Sequence, residues 1–359
     1  MQILRMKAVG FVSALALSSV LGCSQSDEDL DPTTGEIAEV SAQWVDEVAP
    51  PPAAPANPTR PDTQCGGRLL PGQERTCRFG NRNYIIRAGA TMDASKPVPL
   101  VIDLPSTTTT PPEQLGKERF CWTTLCWSSI GSGWAAESDT PGGGFIVVVP
   151  ERNNGLLTDE VAYVRNLVNE IRRQADVDLS KVYLSGASDG GGLALDVGCG
   201  NANVFSGIAP NSGSNMSCRN LRRPIPAISF SSPADVLTYN INYNAAESLA
   251  RANGCRGGAK EWRVFDRTSR DAVCRTANGD PKARLIPCAD VTSARIEPTR
   301  CKAWTECSEG ADVVFCDVAA ANPHGYINAQ ADAHVLYENA TLLNTPSVAW
   351  RFFKQFWAR

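Results

Sequence analysis

Apolar and polar positions change rhythm along the middle of the chain. Val98-Pro99-Leu100-Val101-Ile102-Asp103-Leu104 and Phe145-Ile146-Val147-Val148-Val149 are nearly continuous apolar runs of strand length, the second closed by Pro150. A strand covered on both faces needs such a run, as in a parallel sheet. Asn83-Tyr84-Ile85-Ile86 predicts a shorter strand before them. Val182-Tyr183-Leu184, Phe205-Ser206-Gly207-Ile208-Ala209, residues 225–230 and Val313-Val314-Phe315 predict later ones, Val313-Val314-Phe315 being the last along the chain. Val161, Val164, Leu167, Val168 and Ile171 recur at helical spacing, with Thr158 as the N-cap. Residues 133–138 read as helical, Leu193-Ala194-Leu195 opens a further helix, and 345–357 forms a terminal one with Pro346 in its first turn. Strands that alternate with helices predict an α/β fold, with a mostly parallel central sheet and helices on both faces.

The rhythm is absent at the N-terminal side. Residues 24 to about 62 are acidic and then rich in Pro and Ala, so they predict an extended, disordered tether. Before them, Arg5 and Lys7 precede an apolar run from Ala8 to Leu21 that is too short to span a bilayer. Its end, Val20-Leu21-Gly22-Cys23, resembles a bacterial lipobox. The resemblance implies a signal peptide over residues 1–22, lipidation of the Cys23 thiol, and a membrane contact through that lipid. The non-acidic Ser24 goes with outer-membrane sorting. The expected location is therefore exported, lipid-anchored at the bacterial outer membrane or cell surface, or secreted. Residues 63–359 remain for folding, roughly 300, enough for one large domain.

Composition adds exclusions. A formal net charge of −4 leaves no basic footprint for nucleic acid, which is not expected as a partner. The chain is expected to act as a monomer. Of the 13 cysteines, setting Cys23 aside leaves an even number, which in an exported chain predicts six disulfides of unreadable connectivity. No Cys-x-x-Cys occurs and only 2 His are present, so the usual zinc spacings are missing and no metal is expected. Residues 255–307 hold five Cys, much Arg and little periodicity, and read as a disulfide-pinned insertion.

The candidate chemistry lies in Gly186-Ala187-Ser188-Asp189-Gly190, between a predicted strand and a predicted helix. This is the setting of a nucleophile elbow: a tight, strained turn that projects the serine above the sheet, with glycines on both sides. The amide that follows, Asp189 N–H, is then a candidate oxyanion donor. A serine hydroxyl needs a base, and the base needs an orienting acid. On this fold the chain order is Ser, acid, His. Both histidines, His324 and His334, follow Ser188, and Asp235 lies just beyond the strand ending at Phe230.

With these pieces in place, the chain resembles the polyhydroxybutyrate-depolymerase-type esterases, which include feruloyl and acetyl-xylan esterases. The resemblance rests on Gly133-Trp134 and residues 144–150. It rests also on Lys181 to Gly191, Pro233-Ala234-Asp235, Asn253-Gly254-Cys255 and Ala349-Trp350-Arg351-Phe352-Phe353. It implies an α/β-hydrolase fold with Ser188 as nucleophile and Asp235 as triad acid. Where the family has His-Gly after the strand at 101–104, this chain has Pro105-Ser106, which makes Thr107 N–H the candidate for the second oxyanion donor. A second His-Gly pair is replaced by Ser231-Ser232. His334 is favoured as base over His324 because the residues from His334 to Asn344 match the usual gap before the terminal helix.

The expected function is therefore an exported serine esterase with a Ser-His-Asp triad. It would act on polyester, feruloyl or acetyl-polysaccharide esters and need no cofactor. The alternative is a non-catalytic surface lipoprotein that keeps the fold as a binding module, and the two replaced His-Gly pairs point that way. Trp122, Trp127 and Trp134 are candidates to line an aromatic site, with core packing as their other use.

Overall fold

The structure is a computed structural model. It describes residues 65, 67–106, 109–115, 121–122, 125–126, 133–152, 157–213, 216–218, 221–233, 235, 238–266, 268–275, 285–287, 298–318 and 343–357. The tether, Cys23, Thr107, His324 and His334 lie outside them.

The chain opens with β1 (Glu74–Phe79), β2 (Arg82–Ala88) and β3 (Val98–Leu104), followed by a short helix, α1 (Pro111–Gln114). A two-residue pair, β4 (Cys121–Trp122) and β5 (Leu125–Cys126), precedes α2 (Trp134–Ser138) and β6 (Ile146–Pro150). Then come α3 (Leu157–Ile171), β7 (Val177–Ala187), α4 (Asp189–Gly200), β8 (Gly207–Asn211), β9 (Ala227–Ser231) and α5 (Tyr239–Ala252). The C-terminal part holds β10 (Lys260–Phe265), β11 (Val273–Arg275), β12 (Leu285–Pro287), β13 (Thr299–Trp304), β14 (Val313–Asp317) and α6 (Thr345–Lys354).

Among the described residues, ten strands form one sheet in the order β1-β2-β6-β3-β7-β8-β9-β14-β13-β10. The six from β6 to β14 run parallel, and the outer strands on each side are antiparallel. The inner strands are apolar because both faces are covered. On one face, Ile102, Val148 and Leu184 pack with Leu167 of α3, Leu193 of α4 and Leu249 of α5. On the other, Val101, Val147 and Tyr183 pack with Trp134 of α2 and Trp350 and Phe353 of α6. The Tyr183 and Phe353 rings stack at 4.2 Å. The mostly parallel sheet with helices on both faces is the expected architecture.

Several boundaries differ from the sequence expectation. α3 starts at Leu157, so Thr158 lies inside its first turn and is not the N-cap. α4 starts at Asp189, four residues before the predicted opening at Leu193, because three glycines hide its first turn from a periodicity reading. β10 and β13, within the supposed insertion, are ladder strands of the main sheet. Between them, β11 and β12 pair as a separate two-stranded ribbon.

Among the described residues, four disulfides join Cys65–Cys77, Cys199–Cys218, Cys255–Cys307 and Cys301–Cys316. The Cys255–Cys307 bond closes the base of the 255–307 stretch, and Cys301–Cys316 links cross-strand partners of β13 and β14. Cys121 and Cys126 are register partners across β4 and β5. No described helix is long and apolar enough to cross a membrane.

Candidate active site

The parallel strands β3, β6, β7, β8, β9 and β14 all end on one edge of the sheet, where α/β folds present their ligand sites. Ser188 follows β7 there, as the N-cap of α4. Its backbone sits at φ 51° and ψ −123°, a left-handed conformation that costs a residue with a Cβ on the order of 1–3 kcal/mol. The surroundings hold it. Ser188 N–H donates to Asn211 O at 3.0 Å, and Ser188 O accepts from Gly192 N–H at 3.1 Å. The side chain is only half-buried.

The flanking glycines are required by contact. A Cβ on Gly186 would lie 2.8 Å from Leu104 O and press on Gly190 O. A Cβ on Gly190 would overlap Leu104 O and reach within 2.6 Å of Pro105 O. The first turn of α4 is thus seated against the end of β3. Gly190→Ala is expected to cost at least about 2 kcal/mol through this overlap. A urea midpoint equal to that of the wild type would refute it.

The turn places Asp189, the candidate oxyanion donor, at the first position of α4 directly after Ser188. The dipole of a helix favours negative charge near its N-terminus. The loop after β3 carries the other candidate donor, Thr107, which is not described. The residues around it are braced. Gln114 Nε2 donates to Asp103 Oδ2 at 2.9 Å, and the Ser106 and Thr109 hydroxyls are 2.7 Å apart. Thr110 N–H donates to Glu113 Oε2 at 2.7 Å in a capping box.

Asp235 stands beyond β9, two strands from β7, and is fully buried. Thr238 N–H donates to its Oδ1 at 3.2 Å, and Thr238 Oγ donates to Oδ2. Asn242 extends this support: its Nδ2 donates to Thr238 O at 2.7 Å and to Gly213 O at 3.0 Å, and its Oδ1 accepts from Gly213 N–H at 2.9 Å. The same loop holds Ser212 at φ 40°, a second strained non-glycine at the neighbouring strand end.

The segment carrying both histidines leaves the end of β14, the strand beside β9. That exit is fixed by Tyr239 OH donating to Asp317 Oδ1 at 2.5 Å and by Val318 N–H donating to Ser231 O at 2.9 Å. Burial raises the Tyr239 pKa above its ordinary value, so the hydroxyl keeps its proton as donor. The topology therefore gathers Ser188, Asp189, Asp235 and the root of the histidine segment on one edge.

Trp134 takes the core role. It is buried and donates from Nε1 to Ser185 Oγ at 2.9 Å, just ahead of the elbow. Sequence reasoning did not single out Thr238, Asn242 or Ser212. The only local signal was their place just past strand ends or at the start of a helix. A cavity of about 240 Å³ lined by Tyr183, Phe205, Arg223, Glu309 and Phe356 lies at the opposite edge, where β8 and β9 begin. Among the described residues, no group of three or more His, Cys, Asp or Glu is arranged to hold a metal ion.

No family model matches the chain. It is 24% identical over 208 residues to feruloyl esterase B of Piromyces equi, covering 55% of this chain and 32% of that protein. It is 29% identical over 125 residues to the bifunctional acetylxylan esterase/xylanase of Neocallimastix patriciarum, covering 33% of this chain and 18% of that protein. The chain thus spans about a third or less of these relatives. Among solved structures, acetyl xylan esterase from Aspergillus awamori is similar at 17% identity and a TM-score of 0.42, over 60% of this chain and 95% of that one. The chain has an α/β-hydrolase fold and is similar in sequence to feruloyl and acetylxylan esterases.

Proposed function

We propose that the protein is an exported serine hydrolase of carboxylic esters. The observation that carries the reading is the strained, half-exposed Ser188 on a turn built by contact, with a buried, doubly hydrogen-bonded Asp235 on the same sheet edge. Ser188 Oγ attacks the ester carbonyl while His334 takes its proton. Asp235 holds the imidazole in the required tautomer. The oxyanion is met by the amides of Asp189 and Thr107. Collapse of the intermediate expels the alcohol, which receives the proton from His334. Water then releases the acid from Ser188 by the same steps in reverse. No cofactor enters this cycle.

The names of the similar proteins favour an acetyl or feruloyl ester on a polysaccharide, and the motif resemblance adds polyesters. We further propose removal of residues 1–22 and anchoring through Cys23. An unmodified Cys23 at the mature N-terminus, read by peptide mass, would remove the anchor.

Wild-type protein is expected to hydrolyse p-nitrophenyl acetate and methyl ferulate. Diethyl p-nitrophenyl phosphate should phosphorylate Ser188, as read by peptide mass. No turnover together with an unlabelled Ser188 would sink the enzyme reading and favour a non-catalytic binding module.

A further inference from the structure

The cavity at the sheet edge opposite Ser188 is a second concave site. Ser180, one of its lining residues, stands eight residues before Ser188 in the chain, both on or next to β7. That separation is on the order of 25 Å at ~3.3 Å per strand residue, so the cavity is distinct from the catalytic edge. Its apolar lining is graded. Tyr183, Phe205 and Ile225 are buried, Phe356 is half-buried and Leu179 is exposed. Trp357, also exposed, is tied to this lining by Nε1 donating to Tyr183 OH at 2.7 Å.

Two charged side chains line the same cavity without satisfying each other. Arg223 Nη1 and Glu309 Oε2 stand 4.0 Å apart, beyond hydrogen-bond length, and about half of each side chain is exposed. So loose and solvated a pair adds little to stability. Both residues are nevertheless fixed in place. Arg223 Nε donates to Ala202 O at 2.7 Å. Glu309 sits at φ 53° and ψ 17°, a left-handed conformation that favours glycine. The turn around it is held on both sides. Cys307 is disulfide-bonded to Cys255, Ser308 N–H donates to Asn253 O at 2.9 Å, and Gly310 N–H donates to Cys307 O at 3.0 Å. A glutamate kept in a strained turn at the wall of a cavity points to a use for its side chain.

We propose that this cavity binds one sugar unit of a neutral polysaccharide and holds the protein on the polymer whose esters Ser188 cleaves. The choice of polymer rests on the esterase reading above, but binding at the cavity does not use Ser188. The chemistry of the lining selects the ligand. With one cation and one carboxylate side by side, the site favours neither an anion nor a cation. A hydroxyl is donor and acceptor at once, so neighbouring hydroxyls of a sugar ring accept from the Arg223 guanidinium and donate to the Glu309 carboxylate. The electron-rich face of an aromatic ring such as Phe356 suits the C–H face of a sugar. The cavity of about 240 Å³ is smaller than the ~300 Å³ at which drug-sized ligand sites begin, room for a single ring rather than an extended chain.

The test is retention of the full-length protein on insoluble, deacetylated xylan, a polymer that offers no ester to the catalytic serine. Wild type is compared with Arg223→Ala and Glu309→Gly. Glycine suits the left-handed φ at position 309, so Glu309→Gly should melt no lower than wild type, and a loss of binding there is not a loss of fold. Each variant is expected to bind xylan about tenfold more weakly or worse, the scale of a lost charge-assisted hydrogen bond. Turnover of p-nitrophenyl acetate should stay within about twofold of wild type, because the cavity lies far from Ser188. Wild-type protein that xylan does not retain, or variants retained as well as wild type, overturn the proposal. Stronger retention on polygalacturonate than on xylan also overturns it, since Arg223 would then mark an anion site. Absence of p-nitrophenyl acetate turnover together with an unlabelled Ser188 overturns the esterase reading instead and leaves retention on xylan untouched, so the two failures are distinct.

Discussion

Ser188→Gly is expected to abolish ester turnover and, in the same molecule, to raise the melting temperature. The loss follows from removing the nucleophile. In a serine triad such a change costs about six orders of magnitude in kcat. The gain follows from the backbone. Ser188 sits at φ 51° and ψ −123°, where a Cβ is crowded and glycine is not. Relief of roughly 1–3 kcal/mol of strain exceeds the roughly 0.5–1 kcal/mol that glycine adds to the entropy lost on folding. A net gain of about 1 kcal/mol should lift Tm by about 2–4 °C. Ser188→Ala separates the two effects, because it removes the hydroxyl but keeps the Cβ. It should be equally inactive and no more stable than wild type. Calorimetry beside a p-nitrophenyl acetate assay reads both. A glycine variant less stable than the alanine variant would show that the turn stores no strain.

The second large effect concerns the base. His334→Ala is expected to lower kcat by about 10⁴-fold or more, and His324→Ala to leave it within a few fold of wild type. The segment holding both histidines is rooted at the end of β14, beside the strand that leads to Asp235, so either one is close enough in chain terms to be considered. The choice of His334 rests on its distance from Asn344, the N-cap of α6, whose buried Trp350 and Phe353 lock that end to the sheet. The pH dependence adds an independent mark. A base works only when neutral, so kcat/KM should fall as pH drops through the ordinary histidine range near 6.5, with a slope of one proton. If His324→Ala is the inactive variant, the base is reassigned. If both variants stay active, the triad reading fails.

Much of this architecture was legible because strand burial writes itself into sequence. Val98–Leu104 was read with the bounds it has in the structure, since a strand covered on both faces must be apolar throughout. Ile146–Pro150 and Val313–Asp317 were found within a residue or two for the same reason. β10 escaped because it is an antiparallel edge strand with mostly exposed side chains, so Lys260-Glu261-Trp262-Arg263 carries no apolar run. α5 escaped because its buried face is largely Ala245, Ala246 and Ala250, small residues that leave a weak periodic signal. Thr158 was misjudged as a cap because a threonine ahead of an apolar stripe looks alike one residue inside the helix or outside it.

The sequence by itself determined the class of the fold and the position of the elbow. Local chemistry suffices there: a Gly-x-Ser-x-Gly turn after an apolar strand has few other uses, and chain order limits the acid and base. Only the tertiary structure decided why the glycines are needed and what supports the site. Gly190 is required by Leu104 O and Pro105 O, which lie more than eighty residues earlier in the chain. Asp235 is held by Thr238, and Asn242 ties Thr238 to Gly213 in the loop after β8. Contacts of this kind depend on which strand ends become neighbours. Neighbourhood in the sheet is set by the crossovers β6-β3-β7-β8-β9-β14, not by spacing along the chain.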